Sequence, residues 1–389
     1  MSRIYLDHNA SSPLRPVARE AMLRVFESPS GNPSSPHAFG RAARMTIEHA
    51  RGQVARLLGA LAEEIVLTGG GTESNNLAIY GAARTSIDSG RRIVTSWFEH
   101  PSVLGPMEDL ERDGFEVVRL SPTRAGLVEA GEVLRAAPEG TALVSLMLAN
   151  NEVGTVQPIA AIGRELRRRG VLFHCDAAQG AGKLPIDVGE LHVDLLSIAG
   201  HKFGAPQGAG ALFVRRGLAI RPHLRGGGQE LSRRPGTENV AAFAGLGAAA
   251  AEALAGRLAG ARRMEELRDR LESAVLARDL GARVNGGAAP RVPNTSSLAF
   301  EGATGDVLVM ALDLEGIAVS SGSACSAGTV RRSHVLEAMG LHEASARSIR
   351  VSLGPATTEA EIDAFIGTLE RVLGRVRGPA EKVPSGERA

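Results

Sequence analysis

Between about Glu64 and Val214, seven short runs rich in apolar and β-branched residues alternate with helix-like stretches: EIVLT, RIVTS, FEVVRL, TALVSLMLA, VLFHCD, DLLSIA and ALFV. Most are apolar on both faces, so both faces need cover, and the rhythm predicts a mostly parallel sheet between layers of helices. Such an α/β layout also says where to look for chemistry, because ligands collect at the carboxyl ends of the strands. Thr68–Thr72, His100, Asn150, Asn151, Asp176 and Lys202 all fall at that end of a run.

Past about residue 255 the pattern changes. Met264, Leu267, Leu271 and Val275 recur at helical spacing in MEELRDRLESAVLARDL. A T-x-x-E capping box at Thr358 opens a further helix, with Ile362, Phe365, Ile366, Leu369, Val372 and Leu373 on one face. Between them SSLAFE, IAVS and SIRVSLG read as strands, and alternation in the last turns Arg350 away from the apolar face. The expected organisation is a large domain over 13–255 and a small α+β domain over 256–389, joined by the N-terminal segment 1–12 and ending in a flexible tail over 378–389. The apolar stretch from Val240 to Ala251 is shorter than the ~20 residues a bilayer span requires. It predicts a tightly packed buried helix.

A net charge of +1 in 389 residues makes no electrostatic case for nucleic acid or an anionic membrane. The N-terminus MSRIYLDHNASSP has no apolar stretch suited to a signal peptide. Cys175 and Cys325 are the two cysteines, too few for a disulfide framework, which suits a reducing cytoplasm. Lysine is scarcer than expected: Lys183, Lys202 and Lys382 are the only three, so 41 of the 44 basic residues are arginine. Guanidinium serves solubility and ion pairing, but it cannot act as an amine nucleophile. Lys202 follows an apolar run and a Gly-His turn, where an amine can be presented to a buried ligand, whereas Lys382 lies in the polar tail and Lys183 in GKLPID reads as structural.

Four further features carry chemistry. TGGGTES places glycines and Thr72 at the start of a helix, where backbone N–H groups suit a phosphate, although taken alone Thr72 reads first as a helix cap. Asp176 ends a buried strand, where it either caps a helix or faces a cationic ring nitrogen; Cys175 beside it alternates to the other side and reads as a buried apolar residue. His100 follows another strand, placed to stack on a flat cofactor or to move protons. Cys325 sits in SSGSACSAGTV, which has almost nothing to anchor a core and so predicts an exposed, mobile loop with a reactive thiol.

In order and spacing, IYLDHNASSP, GNPSSPH, TGGGTESNNLAI, FEHPSVL, NNEVGTVQPI, HCDAAQGAGKLPID, SIAGHKFGAPQGAGAL, GGGQELSRRPGTEN, SSGSACSAG and SIRVSLG resemble the cysteine desulfurases of the class V aminotransferase family, across residues 4 to 376. The SSGSAC loop is similar to that of the group with a long catalytic loop. The resemblance implies the aspartate-aminotransferase-like fold of pyridoxal-phosphate enzymes (fold type I) and conversion of L-cysteine to L-alanine, with sulfur passed to Cys325 as a persulfide for iron–sulfur cluster assembly or other delivery. It further implies a cytoplasmic homodimer, a sulfur-acceptor protein as partner, and no role for nucleic acid or membrane. Carried over by position, Lys202 holds the cofactor covalently, Asp176 partners its ring nitrogen, His100 stacks on the ring, and Gln179 with Asn151 reaches its phenolic oxygen. Gly71, Thr72 and His201 bind the phosphate, joined by Thr237 from the other subunit, while Arg350 with Asn151 takes the substrate carboxylate. Two departures stand out: Ala199 replaces a frequent hydroxyl residue, removing one phosphate hydrogen bond of about 1 kcal/mol, and APQGAG lacks a frequent lysine. A class V amino-acid aminotransferase would share these residues without needing Cys325. A non-catalytic platform for sulfur assembly would have no reason to keep Lys202, Asp176 and Cys325 together.

Overall fold

The computed structural model describes residues 3–28, 31–86, 90–321 and 332–377; Cys325, Lys382 and the 378–389 tail lie outside them. All seven expected runs between Glu64 and Val214 are strands of one sheet. In spatial order they are Ile65–Thr68, Gly210–Val214, Leu195–Ala199, Leu172–Asp176, Thr141–Met147, Arg92–Ser96 and Glu116–Leu120. Every pairing is parallel except those of Gly210–Val214, which runs antiparallel to both neighbours. The physical reason is the connection. Only the turn carrying Gly-His-Lys separates Ala199 from Gly210, and a parallel crossover needs a dozen or more residues. That short return strand puts Gly210 opposite both Thr68 and Ala199, so the glycine loop and the lysine turn flank one point on the sheet edge.

The small sheet is antiparallel, in the order Ser320–Ser321, Ser348–Ser352, Thr295–Phe300 and Ala282–Val284. IAVS is not one strand, contrary to the sequence expectation: Ile317–Ala318 pairs in parallel with Ile4–Tyr5, and only Ser320–Ser321 joins the small sheet. Val319 between them is buried, so the chain switches partners where a side chain must enter the core. Leu6 is buried in that same core, which ties the N-terminal segment to this half of the molecule. The helix Glu359–Val376 begins at the expected capping box, with Thr358 Oγ1 accepting from Glu361 N (3.3 Å) and Glu361 Oε2 accepting from Thr358 N (2.8 Å).

One correction concerns the region around residue 255. Val240–Leu276 is a single 37-residue helix, so the expected buried helix ending at Ala251 and the one carrying Met264 are continuous. No Pro or run of β-branched residues interrupts it, and its composition is dominated by strong helix formers. Its first half packs on the helices Pro16–Glu27 and Ala38–Leu58 through Ala and Gly. A Cβ on Gly247 would lie 2.6 Å from Ala50 Cα, so the backbones approach too closely for any side chain there. Its second half places Met264, Leu267, Leu271 and Val275 in the core of the small sheet. The helix is long and apolar enough to cross a bilayer, yet half of that apolar window is buried inside the protein.

Candidate active site at the carboxyl edge of the main sheet

The glycine loop forms the outer wall. Gly70 adopts φ +147°, a conformation that side chains avoid, and it stands at the N-cap of the helix Gly71–Thr85. Thr72 is therefore inside the first turn and is not the cap, which removes the bland reading of that residue. The first-turn N–H groups have no partner within the helix. They open onto a cavity of about 640 Å³ walled by Gly69, Gly71, Thr72, His201, Arg233 and Arg234, among others. Burial, reinforced by the charges of Lys202, His100 and Lys183, lowers the His201 pKa to about 4, so the ring is neutral near pH 7 and retains one N–H to donate. A Cβ on Gly71 would come within 3.1 Å of Ala199 Cβ, so residue 199 borders this first turn and presents a methyl where a hydroxyl would face the same space. Thr237 is exposed and takes no part in the wall of its own chain's cavity.

Behind this wall lies a second cluster that links three strand ends. Asp176 closes the strand Leu172–Asp176 and is 5 % exposed. Its Oδ1 accepts from Ala178 N (2.9 Å) and its Oδ2 from Asn75 Nδ2 (2.8 Å). Asn75 Nδ2 also donates to Ser102 Oγ (2.9 Å), and Ser102 Oγ stands 2.8 Å from His100 Nδ1. Because Ser102 N donates to His100 Nδ1 (3.1 Å), that nitrogen is an acceptor and the neutral ring carries its proton on Nε2. Burial is the main force holding His100 below the usual histidine range; Lys202 and His334 add to it and Asp176 opposes it. His100 and Asp176 are thus fixed relative to each other by Asn75, which the sequence did not single out. The adjacent Glu99 is fully buried, accepts from Met147 N (3.0 Å), and is pushed well above the carboxylate range by burial.

The third cluster surrounds the lysine. Lys202 Nζ donates to the main-chain oxygens of Asn9 (2.7 Å) and Ala10 (3.0 Å). Gln179 Nε2 donates to the same Asn9 oxygen (3.1 Å), and Gln179 Oε1 accepts from Lys183 Nζ (2.8 Å). The Asn9 side chain receives Lys183 Nζ (3.1 Å) and Asn294 Nδ2 (3.1 Å) on its oxygen and donates to Asn151 O (3.1 Å) and Thr295 Oγ1 (2.8 Å). Arg350, 4 % exposed, donates to Asn151 O (3.1 Å) through Nη1 and to Asp7 Oδ1 (2.7 Å) through Nη2. Its Nε is buried and lacks a hydrogen-bond partner among the described residues, a donor left unsatisfied beside Asn151. Asn9 and Asp7 lie in the IYLDHNASSP motif, but nothing local in it reveals that Asn9 joins Lys202, Gln179, Asn151 and Lys183. As expected, Cys175 is fully buried on the far side of its strand, with its thiol pushed up by burial.

The arrangement fits pyridoxal phosphate on its own terms. A glycine cradle and a helix N-terminus serve a phosphate, the aligned Asp176 carboxylate serves a ring nitrogen, and the Lys202 amine stands between them along the sheet edge. Comparison with known proteins is decisive for the family: the model for class-V aminotransferases matches residues 4–365. The chain belongs to this family. Its relatives include the cysteine desulfurase IscS of Dictyoglomus turgidum, 42 % identical over 96 % of this chain and 95 % of the relative, and the IscS of Anaeromyxobacter sp. strain K, 47 % identical over 96 % and 93 %. Among solved structures, a NifS-like protein superposes with a TM-score of 0.89 at 37 % identity, covering 95 % of this chain and 99 % of the other. SspA in complex with cysteine gives a TM-score of 0.79 at 37 % identity, covering 91 % and 100 %. Pyridoxal phosphate is the cofactor of this family of enzymes, and of this chain.

Proposed function

We propose that this enzyme is a cysteine desulfurase that converts L-cysteine to L-alanine and hands the sulfur to Cys325 as a persulfide. The observation that carries the reading is that Lys202, Asp176, His100 and Arg350 are tied to one sheet edge while both flanks of the segment holding Cys325 are anchored beside them. On one flank Ser320 pairs with Arg350. On the other, Ser333 Oγ donates to Glu152 Oε2 (2.5 Å) and His334 Nε2 meets Glu99 O (3.0 Å).

When bound, pyridoxal phosphate supplies an electron sink for a carbanion at the substrate Cα. Gly71, Thr72 and His201 would bind its phosphate, Asp176 would pair with its ring nitrogen, and His100 and Gln179 would border its ring. Lys202 would hold it, and its amine would move the Cα proton. Arg350 would bind the substrate carboxylate and so fix the orientation of the substrate in the site. The Cys325 thiolate attacks the substrate sulfur. An S–S bond forms, the C–S bond breaks with its electron pair left on carbon, and a proton completes the methyl group of alanine. His100, neutral with its N–H on Nε2, presents a hydrogen-bond donor to that end of the reaction.

The exposure of Thr237, set apart from its own cavity, supports a homodimer in which it reaches the partner's phosphate site. The two-cysteine composition and the IscS relatives support cytoplasmic delivery of sulfur to an acceptor protein for iron–sulfur assembly. The test is alanine and sulfide formation from L-cysteine, under reductant and added cofactor, by wild type and Cys325→Ala. The variant should bind cofactor normally and release almost no sulfide. Undiminished sulfide would remove Cys325 from the mechanism, and transamination unaffected by the substitution would replace the desulfurase reading.

A further inference from the structure

Lys183 is the one buried cation of the site to which the mechanism assigns no task. It is 6 % exposed, in a chain that otherwise uses arginine for nearly every positive charge. The turn that carries it is pressed against the Lys202 turn: Gly182 has φ +76°, and a Cβ there would lie 2.9 Å from Phe203 Cβ, one residue after Lys202. The partners of Lys183 Nζ among the described residues are two neutral amide oxygens, Asn9 Oδ1 and Gln179 Oε1, and no carboxylate among those residues pairs with it. A buried cation stabilised only by dipoles is costly unless it can shed its proton, which an arginine cannot do.

The geometry links this amine to the catalytic one through two routes. Lys183 fixes the Gln179 amide by its oxygen, which directs Gln179 Nε2 to Asn9 O, and it grips Asn9 by the side chain. Asn9 O is the acceptor that orients Lys202 Nζ. The charges that face Lys183 are Lys202 from the Gly200–Lys202 turn and Arg350 from the strand Ser348–Ser352, where it is paired with Asp7; His201 from that turn and His8 from the N-terminal segment also face it, both held neutral near pH 7 with pKa values of about 4. Burial, with Lys202 and Arg350 adding to it, lowers the Lys183 pKa to about 7.

We propose that Lys183 is a positioning residue for Lys202: it holds Gln179 and Asn9 so that the Asn9 carbonyl aims the Lys202 amine, and its charge disfavours a second ammonium beside it. The proposal rests on the reading of Lys202 as the residue that holds the cofactor. It explains why lysine persists at position 183, since the site needs a donor small enough to reach two amide oxygens and able to lose its charge near neutral pH.

The near absence of lysine makes the test direct. Lysine carrying carbon-13 at Cε gives three signals from the full chain, one each for Lys183, Lys202 and Lys382. With cofactor removed, Lys183 is expected to titrate at about 7, well below the ordinary ~10.4 of a free lysine. The Lys202 curve should inflect where Lys183 titrates. In Lys183→Met, which keeps the length and removes charge and donors, the inflection of the Lys202 curve near neutral pH should disappear, because no neighbouring charge is then lost there. A Lys183 signal that stays charged into the ordinary lysine range near ~10.4 overturns the proposal. So does a Lys202 curve that is the same in wild type and Lys183→Met. If that variant does not fold, the inflection in the wild-type Lys202 curve decides alone, and its absence is an overturning result. Adding pyridoxal phosphate separates the two readings. A Lys202 signal that ignores the cofactor defeats the assignment of Lys202 and this inference with it, whereas a Lys202 that responds beside a Lys183 that does not titrate near neutrality defeats only this inference.

Discussion

The outer and inner parts of the active site are built on opposite principles. The outer wall is backbone: three glycines, a helix start and a methyl at Ala199, opening onto a large cavity. The inner cluster is side chain: Asp176, Asn75, Ser102 and His100 on one side, and Lys202, Asn9, Gln179, Lys183 and Arg350 on the other, joined by hydrogen bonds of 2.7–3.1 Å. A phosphate needs a ring of N–H donors that tolerates small shifts, which a glycine loop at a helix start provides. Proton transfer and attack on sulfur need groups held in one orientation, which a buried hydrogen-bonded network provides. The two parts should therefore fail differently when altered.

The largest effect is expected in the inner cluster. Lys202→Arg retains the charge and removes the nucleophilic amine, so alanine formation should fall on the order of 10³-fold or more. The cofactor should then be removable by dialysis and lose its covalent absorbance signature. A variant that retains both activity and signature would show that another amine does the work.

Next comes the pH dependence of the inner wall. Burial holds the Glu152 carboxyl up at about 7, against the opposing Ser333 hydrogen bond and Arg350 charge. Between about 4.5 and about 7 the folded chain keeps this proton while the unfolded chain has lost it, so the contribution to stability falls as pH rises through that window. Glu152→Gln lacks the titration, and its stability relative to wild type should improve by roughly 2–3 kcal/mol from pH 4.5 to 7. Parallel denaturation curves for the two proteins across that range would show that Glu152 ionises normally.

Asn75→Leu tests whether the inner cluster behaves as a unit. It strips a donor from both Asp176 and Ser102, and the loss is expected to be roughly 1–3 kcal/mol of stability. The pH profile of activity should shift as well, because His100 loses the order that Ser102 gives it. A stability loss with an unchanged pH profile would break the proposed link between Asp176 and His100.

The smallest effect belongs to the outer wall, where improvement is possible. Ala199→Ser places a hydroxyl beside the first turn at Gly71 and should tighten cofactor binding by about 1 kcal/mol, roughly fivefold. Equilibrium dialysis or fluorescence titration of cofactor reads this directly. Unchanged affinity would mean that the backbone donors already satisfy the phosphate.

The sequence by itself determined the seven strands, the edge on which the chemistry sits, the capping box at Thr358 and the pairing of Lys202 with its Gly-His turn. These follow from local rules, because strand periodicity, caps and glycine turns are written in residues a few positions apart. Tertiary structure alone decided that Val240–Leu276 is one helix serving two cores, that Gly210–Val214 runs backwards, and that IAVS divides between two sheets. It also decided that Asn9 is the centre of the lysine cluster and Asn75 the link between Asp176 and His100. Lys183 meets Asn9 across 174 positions and Arg350 meets Asp7 across 343, separations at which no periodicity reports who touches whom. Only packing of the strand ends brings such groups together, and once they are together, burial sets which of them carries a proton.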